Sequence, residues 1–408
     1  MEPVKVAENV YWVGALDYDI RDFHGYRTSD GSTYNAYLII DEKITLIDTV
    51  KGPFVPEMIS RISKIVDPKK IDQVVSNHAE IDHAGGLPWT MSIIGKDKPV
   101  YTSKMGEKAL KAQFKGSEFN LKTVNTGDTL SLGKLSLSFL ETRMVHWPDS
   151  MFSFCPELGI LFSQDAFGMH LATSRRFDDE VARNVWCYEA LKYMANILTP
   201  YTTPIAKTLE TVTSMGLVPK IKIICPDHGI IWRTNPGEII ELYAKWVKQE
   251  PSRKAVIVYD TMWKSTEKMA GYLADALSQE NVLVKRMSMK YNHRSDVVTE
   301  LYTAGAVLVG SPTLNNDIYP TIAEVLCYMR GLKFQNKVGA AFGSYGWSGE
   351  SAKMLQSALT EMKYQTPCSE MRLQWVPEEA DLAPLKDMAK VIAGALPKEP
   401  VTADFGYM

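Results

Sequence analysis

Four residues able to ligate a metal, His78, Glu80, Asp82 and His83, fall within six positions of the stretch IDQVVSNHAEIDHAGGLP (Ile71 to Pro88). An apolar pair, Val74 and Val75, runs straight into them, which places them at the end of a buried strand. Alternate side chains of an extended segment share one side, so His78, Glu80 and Asp82 are expected to converge, with His83 following as a helix begins at Ala84-Gly85-Gly86. The glycines let the backbone bend closely around a site. Any one of these residues alone reads better as part of a solvated turn capped by Asp82, but the whole H-x-E-x-D-H string reads as a metal site. His146 in ETRMVHWPDSMF, Asp165 in ILFSQDAFG and His228 in IICPDHGIIW each follow an expected strand, in the loops where ligands gather. The set comprises four imidazoles and three carboxylates.

A second group of loops lies in the C-terminal part. Asp260-Thr261-Met262-Trp263-Lys264-Ser265-Thr266 follows an apolar strand and opens a helix, offering hydroxyls, backbone N–H groups and a helix N-terminus to a phosphate. Ser and Thr at that position also serve as plain N-caps. Ser311-Pro312-Thr313-Leu314-Asn315 and Ser344-Tyr345-Gly346-Trp347-Ser348-Gly349 follow two further strands, on the edge of a parallel sheet where ligands bind. Gly-rich backbone with Tyr345 and Trp347 can cover an isoalloxazine ring, and Thr313 and Asn315 can bond its edge. Three such loops on one edge favour a flavin over ordinary turns. The first resembles the flavodoxin phosphate loop, which holds the phosphate of FMN, and no G-x-x-x-x-G-K is present.

The elements that must carry these loops fall into two patterns. After the polar stretch KQEPSRK (Lys248 to Lys254), strands at Ala255–Tyr259, Val282–Met287, Ala306–Gly310 and Val338–Gly343 alternate with helices beginning near Thr266, Ser295, Pro320, Gly349 and Ala380, with a fifth strand before the last helix. This predicts a flavodoxin-like doubly wound parallel sheet in the order 2-1-3-4-5. Before the break, strands come in runs: Val10–Gly14, Asn35–Ile40, Ile44–Asp48, Leu135–Glu141, Met151–Cys155, Ile160–Ser163 and Lys222–Cys225. Helices are expected at Pro53–Ile65, Gly85–Ile94, Lys104–Phe114, Ala182–Leu198 and Gly237–Val247. The domains are expected at 1–250 and 251–408, an α+β half followed by an α/β half.

The 408 residues carry 45 Lys+Arg against 48 Asp+Glu, a net charge of -3, which argues against a nucleic-acid binder. The apolar runs are strand-sized, too short to cross a bilayer, and the N-terminus lacks an apolar signal core, so a cytoplasmic protein is expected. Five scattered cysteines without a C-x-x-C pair fit neither a disulfide framework nor a thiolate metal site.

H-x-E-x-D-H followed by a lone His, a lone Asp and the P-D-H-G histidine resembles the metallo-β-lactamase superfamily, which implies an αββα sandwich. The usual string has a second histidine where this chain has Glu80. A carboxylate is a harder ligand and favours iron over zinc, whose lack of redox chemistry would gain nothing from it. Carried over residue by residue, the resemblance implies one iron held by His78, Glu80 and His146, the other by Asp82, His83 and His228, and Asp165 bridging. His24 and His170 match pocket histidines of the family and are candidate proton donors. Their bland reading as simply hydrogen-bonded histidines stands beside this.

Joined to the flavodoxin-like half, the chain resembles the flavodiiron proteins, also called A-type flavoproteins, over its whole length. The segments Ser32 to Leu38 (STYNAYL) and His146 to Phe152 (HWPDSMF) also match. The resemblance implies one FMN and two non-haem irons per chain, and reduction of dioxygen to water by four electrons. Coupling of nitric oxide to nitrous oxide, by two electrons, is the alternative at the same site. It further implies a head-to-tail homodimer or a tetramer, and an external donor, a rubredoxin-like protein or a reduced deazaflavin. Lys51 and Tyr272 are further pocket candidates, each of which also reads as a solvated or packing residue. Met169 and Met194 depart from the polar residues of some relatives. A zinc hydrolase would leave Glu80 and the flavin loops without a role, and a plain flavin electron carrier would leave seven ligands idle. Metal analysis separates the first, and a His83→Ala variant that keeps flavin but loses gas reduction excludes the second.

Overall fold

The computed structural model describes residues 1–399; residues 400–408 lie outside the described residues. Two compact units emerge. The first comprises Met1–Phe23, Thr28–Tyr193 and Tyr201–Val247; the second takes His24–Arg27, Met194–Pro200 and the chain from Lys248 onward.

The first unit holds a seven-stranded and a five-stranded sheet. In the larger, Tyr37–Ile39, Thr45–Ile47, Gln73–Val75 and Pro99–Ser103 lie side by side, and period-two alternation divides their side chains between two cores. Leu38, Leu46, Val74 and Val100 pack against Val55, Met58, Ile62, Leu87 and Met91 of the covering helices. Tyr37, Ile39, Ile47 and Val75 face the other way, onto Leu137, Phe139, Met151 and Phe162 of the second sheet. On that sheet's outer side Phe152 meets Phe167, whose ring lies 4.7 Å from Tyr243 of helix Pro236–Trp246. The result is the expected helix–sheet–sheet–helix sandwich.

The second unit orders its sheet Leu283–Ser288, Lys254–Tyr259, Ala306–Leu314, Val338–Tyr345, Met371–Gln374, all parallel, which is the expected 2-1-3-4-5. Helices Ser265–Gln279 and Glu379–Ala395 cover one face with Met269, Leu273, Leu385 and Ile392.

One local expectation needs correction, and four elements were not expected. The helix expected over Ala182–Leu198 is α-helical only over Arg183–Tyr193 and continues as a π-helix over Met194–Leu198. The strands Pro99–Ser103, Asn120–Val124 and Thr129–Ser131 carry too few apolar residues to announce themselves. Helix Thr202–Ser214 was also unexpected: its threonines favour strands, yet the hydroxyls of Thr211 and Thr213 bond back to carbonyls four residues earlier.

Candidate metal centre and flavin cavity

The side chains able to ligate a metal gather at one end of the sandwich because each follows a strand. His78 comes after Gln73–Val75, His146 after Ser136–Glu141, Asp165 after Ile160–Gln164 and His228 after Ile223–Pro226. The extended alternation expected across His78, Glu80 and Asp82 stops at Glu80, which is extended and precedes a one-turn helix, Ile81–Ala84. Helical rotation then sends Asp82 and His83 to a different place from His78 and Glu80.

Two groups result: His78, Glu80, His146 and Asp165, and Asp82, His83 and His228. In the first, His78 Nε2 and His146 Nε2 each lie 3.2 Å from Glu80 Oε2 and 3.2 Å from Asp165 Oδ2. In the second, His83 Nε2 is 3.2 Å from Asp82 Oδ2 and 3.1 Å from Asp165 Oδ1, and His228 Nε2 is 3.0 and 3.4 Å from the same two oxygens. Asp165 therefore turns one oxygen to each group.

Such spacing is what ligands about 2.0–2.2 Å from a common ion take up. The fit is supported by polar atoms that hydrogen bonding leaves over. Both oxygens of Asp82 and Nε2 of His228 are buried and make no well-aligned hydrogen bond, although two of them are only 3.0 Å apart. Lone pairs aimed at a shared centre, rather than at each other, explain this, so the residues present fit a pair of metal ions.

The charges are strongly coupled. Burial opposes charge on His78, but Asp149 and Asp165 outweigh it and hold the imidazole well above its ordinary pKa. His83 behaves alike, with Asp82, Asp165 and Asp227 outweighing burial. Burial alone would raise Asp165; His83, His146 and His78 hold it well below the carboxylate range.

Around the ligands stand residues that the sequence reading missed. Asp149 Oδ2 is 3.2 Å from His78 Nδ1 and accepts the Ala79 N–H at 2.6 Å. His228 Nδ1 donates to the Thr33 carbonyl at 2.6 Å. Gln164 holds Asp165 through its backbone N–H, 2.7 Å from Oε1. Asp227 could have been suspected from its place beside His228, and Asp149 lies within the matching segment His146 to Phe152, but nothing in the sequence pairs it with His78, 71 positions away.

The other site candidates differ in their surroundings. His170 is fully buried, with Nδ1 2.8 Å from Ser32 Oγ and its ring 4.5 Å from that of His228. Lys51 Nζ lies 5.4 Å from the Phe23 ring and 5.6 Å from that of Tyr34. His24 sits at a left-handed backbone position (φ 54°) in the segment His24–Arg27. Tyr272 packs against the core of the second unit and does not line its cavity. Met169 is buried with its side chain and backbone against Gly229, and Met194 is buried at the start of the π-helix.

In the second unit a cavity of about 670 Å³ opens at the carboxyl edge of the sheet, a size suited to a cofactor. Met262, Trp263, Ser265, Pro312, Thr313, Leu314, Asn315, Ser344, Tyr345, Gly346, Trp347 and Ser348 line it, with Asn316 at the end of the second loop and with Trp375 and Val376, which the sequence reading missed. Thr261, Lys264, Thr266, Ser311 and Gly349 belong to the same three loops but are not among the lining residues. Thr266 and Ser344 share a 2.8 Å hydroxyl contact, and Ser311 Oγ accepts the Tyr319 N–H. Lys264 and Gly349 take left-handed conformations at helix starts. The Thr261 hydroxyl is buried without a hydrogen bond in the loop that opens helix Ser265–Gln279, where a phosphate would supply one.

Residues 33–229 match the ODP family beta lactamase domain and residues 257–387 match flavodoxin. A nitric oxide reductase of Moorella thermoacetica is 46% identical over 398 residues, covering 97% of this chain and 99% of that one. A rubredoxin-oxygen oxidoreductase of Megalodesulfovibrio gigas is 45% identical over 399 residues, covering 97% and 98%. The crystal structure of the flavodiiron protein from Giardia intestinalis superposes with a TM-score of 0.92 at 34% identity, covering 97% of each chain. The chain is a flavodiiron protein. As such it is an oxidoreductase whose cofactors are FMN and two non-haem irons. Among the described residues no helix of this flavodiiron protein is long and apolar enough to cross a membrane.

Proposed function

We propose that this flavodiiron protein reduces dioxygen to two waters, taking up four electrons and four protons, at irons held by His78, Glu80 and His146 on one side and Asp82, His83 and His228 on the other. The observation that carries this reading is Asp165, whose two oxygens face the two groups separately. Residues 1–250 would form the diiron domain and 251–408 the FMN domain.

When bound, the irons supply two electrons and the flavin two. The chain's own residues hold, orient and shield. Glu80, Asp82 and Asp165 bring three negative charges to a nearly dry site, which suits ferric as well as ferrous iron. His170, tethered by Ser32 beside His228, is placed to hold a proton. Phe23 and Tyr34 wall the same side under the Lys51 ammonium, with the Tyr34 hydroxyl given to Asp17 at 2.8 Å. Electrons would enter at the cavity edge from a rubredoxin-like protein, in keeping with the name of the Megalodesulfovibrio gigas relative, or from a reduced deazaflavin. A head-to-tail homodimer or tetramer in the cytoplasm completes the reading.

Nitric oxide reduction to nitrous oxide is the second reading, favoured by the name of the Moorella thermoacetica relative. Photoreduced protein, free of dithionite and assayed for iron and FMN, would be exposed separately to dioxygen and to nitric oxide without air. Rapid reoxidation of the protein by dioxygen, which is reduced to water, with slow nitric oxide turnover is the expected result, with Asp165→Ala keeping FMN while losing iron and activity. The reverse preference would make it a nitric oxide reductase, and zinc without iron would overturn the diiron reading.

A further inference from the structure

The two metal groups have matched donors. Each offers two imidazole Nε2 atoms, one carboxylate of its own and one oxygen of Asp165. By ligand type alone, the two positions would bind a metal equally well.

The groups behind Nδ1 of His78, His83 and His228 are not matched. His78 Nδ1 faces the Asp149 carboxylate at 3.2 Å, and the same oxygen is fixed by the Ala79 N–H at 2.6 Å. Asp149 is itself only 3% exposed and is anchored through its carbonyl, which accepts the Ser103 hydroxyl at 2.7 Å. In the second group, His228 Nδ1 has a peptide carbonyl, that of Thr33. The nearest carboxylate to His83 Nδ1 is Asp227 at 3.5 Å, and neither atom makes a hydrogen bond. A charged acceptor behind a ligand histidine fixes the Nδ1–H tautomer, aims Nε2 at the ion and makes it a stronger donor; a carbonyl does so with a dipole only.

From this difference we propose that Asp149 is a positioning residue that makes the His78–Glu80–His146 position the tighter of the two. The centre therefore fills in order, the Asp149-backed position first and the Asp82–His83–His228 position second. The proposal rests on the ligand assignment above and goes beyond it by ranking the two positions and naming the residue that ranks them.

Cobalt(II) is a suitable probe, because its visible absorption reports binding without any turnover. Metal-free full-length protein would be titrated without air, with a competing chelator to set the affinity scale. Two steps separated by tenfold or more are expected. Asp149→Asn keeps the shape and an oxygen for the Ala79 N–H but removes the charge. It should weaken the first step about 10–100-fold, the usual effect of losing such a partner, and leave the second unchanged. Asp82→Asn should abolish only the weaker step. Nitrogen-15 shifts of His78 in the metal-free protein should show the Nδ1–H tautomer in the parent and a mixture in Asp149→Asn. Two equal steps in the parent, or an Asp149→Asn titration superposable on it, would overturn the ranking while leaving the ligand assignment standing. A parent protein that binds no cobalt would instead remove the ligand assignment. Should Asp149→Asn fail to fold, the parent and Asp82→Asn still decide, since the step surviving Asp82→Asn must be the tighter one.

Discussion

Without metal, the ligand cluster is a set of ion pairs, and that determines how the apoprotein responds to pH. Burial opposes charge on His146, but Asp165 and Glu80 outweigh it and carry its pKa up to about 9. His78 and His83 move in the same direction. A folded pKa above the unfolded value, about 6.5 for histidine, means that the folded state binds more protons between the two values. The stabilisation is complete below the unfolded value and is lost as pH rises through the folded one. Asp48, raised to about 6 chiefly by burial, acts with the same sign in a lower window. Metal-free protein is thus expected to lose thermal stability steadily as pH rises from about 6.5 to about 9. Iron-loaded protein should not, because the ion replaces those protons; iron binding should release protons and weaken on acidification. Unfolding midpoints of both forms across that range, and calorimetry in buffers of different ionisation heat, check this. A metal-free midpoint that climbs through the window would count against the ion-pair description.

Backbone elements set where these side chains can stand, and Gly310 shows how little slack they leave. It sits mid-strand in Ala306–Leu314, beside Phe342 on the neighbouring strand, and an added Cβ would lie 2.2 Å from the Phe342 ring. Gly310→Ala should cost about 1–3 kcal/mol, typical of overpacking a filled core. Because Ser311 to Asn315 follow directly, it should also loosen FMN. Denaturant unfolding and flavin retention on gel filtration measure both, and a variant equal to the parent in each would refute the close fit. How far such detail could be read beforehand varies by element. Met151–Cys155 falls where its apolar run places it, and the sheet order follows from alternating strands and helices. Asp149 lies in a segment the sequence singles out, but its role could not be read, because only the fold brings it across 71 positions to His78. Trp375 and Val376 escaped because they join the flavin cavity from an irregular stretch past the last strand, where no periodicity operates.

At the scale of the whole molecule, sequence order and compactness disagree. The flavin unit is assembled from three pieces, since His24–Arg27 and Met194–Pro200 pack with the chain from Lys248 onward. Within that unit Asn196, 5% exposed, donates to Thr299 Oγ1 at 3.2 Å and the Ser295 carbonyl at 3.4 Å, and accepts the Tyr328 hydroxyl at 2.8 Å. The Gly25 carbonyl accepts from Arg294 at 2.8 Å, and the Arg27 N–H donates to Ser295 Oγ at 3.3 Å. A fragment beginning at residue 251 keeps every strand of the parallel sheet and the whole cavity lining, so it should bind FMN. It loses both inserted segments, however, and leaves the start of helix Arg294–Thr303 and the Tyr328 hydroxyl without these partners. At about 0.5–1.5 kcal/mol net for each hydrogen bond lost, the fragment should be weaker by several kcal/mol than the same unit in the full chain. Asn196→Ala in the full chain should reproduce about 1–3 kcal/mol of that loss. Release of FMN fluorescence on heating follows the flavin unit specifically in all three proteins. If fragment and full chain release flavin at the same temperature, the two segments contribute nothing to that unit. If only Asn196→Ala matches the full chain, the Gly25 and Arg27 contacts hold the unit together and the asparagine does not.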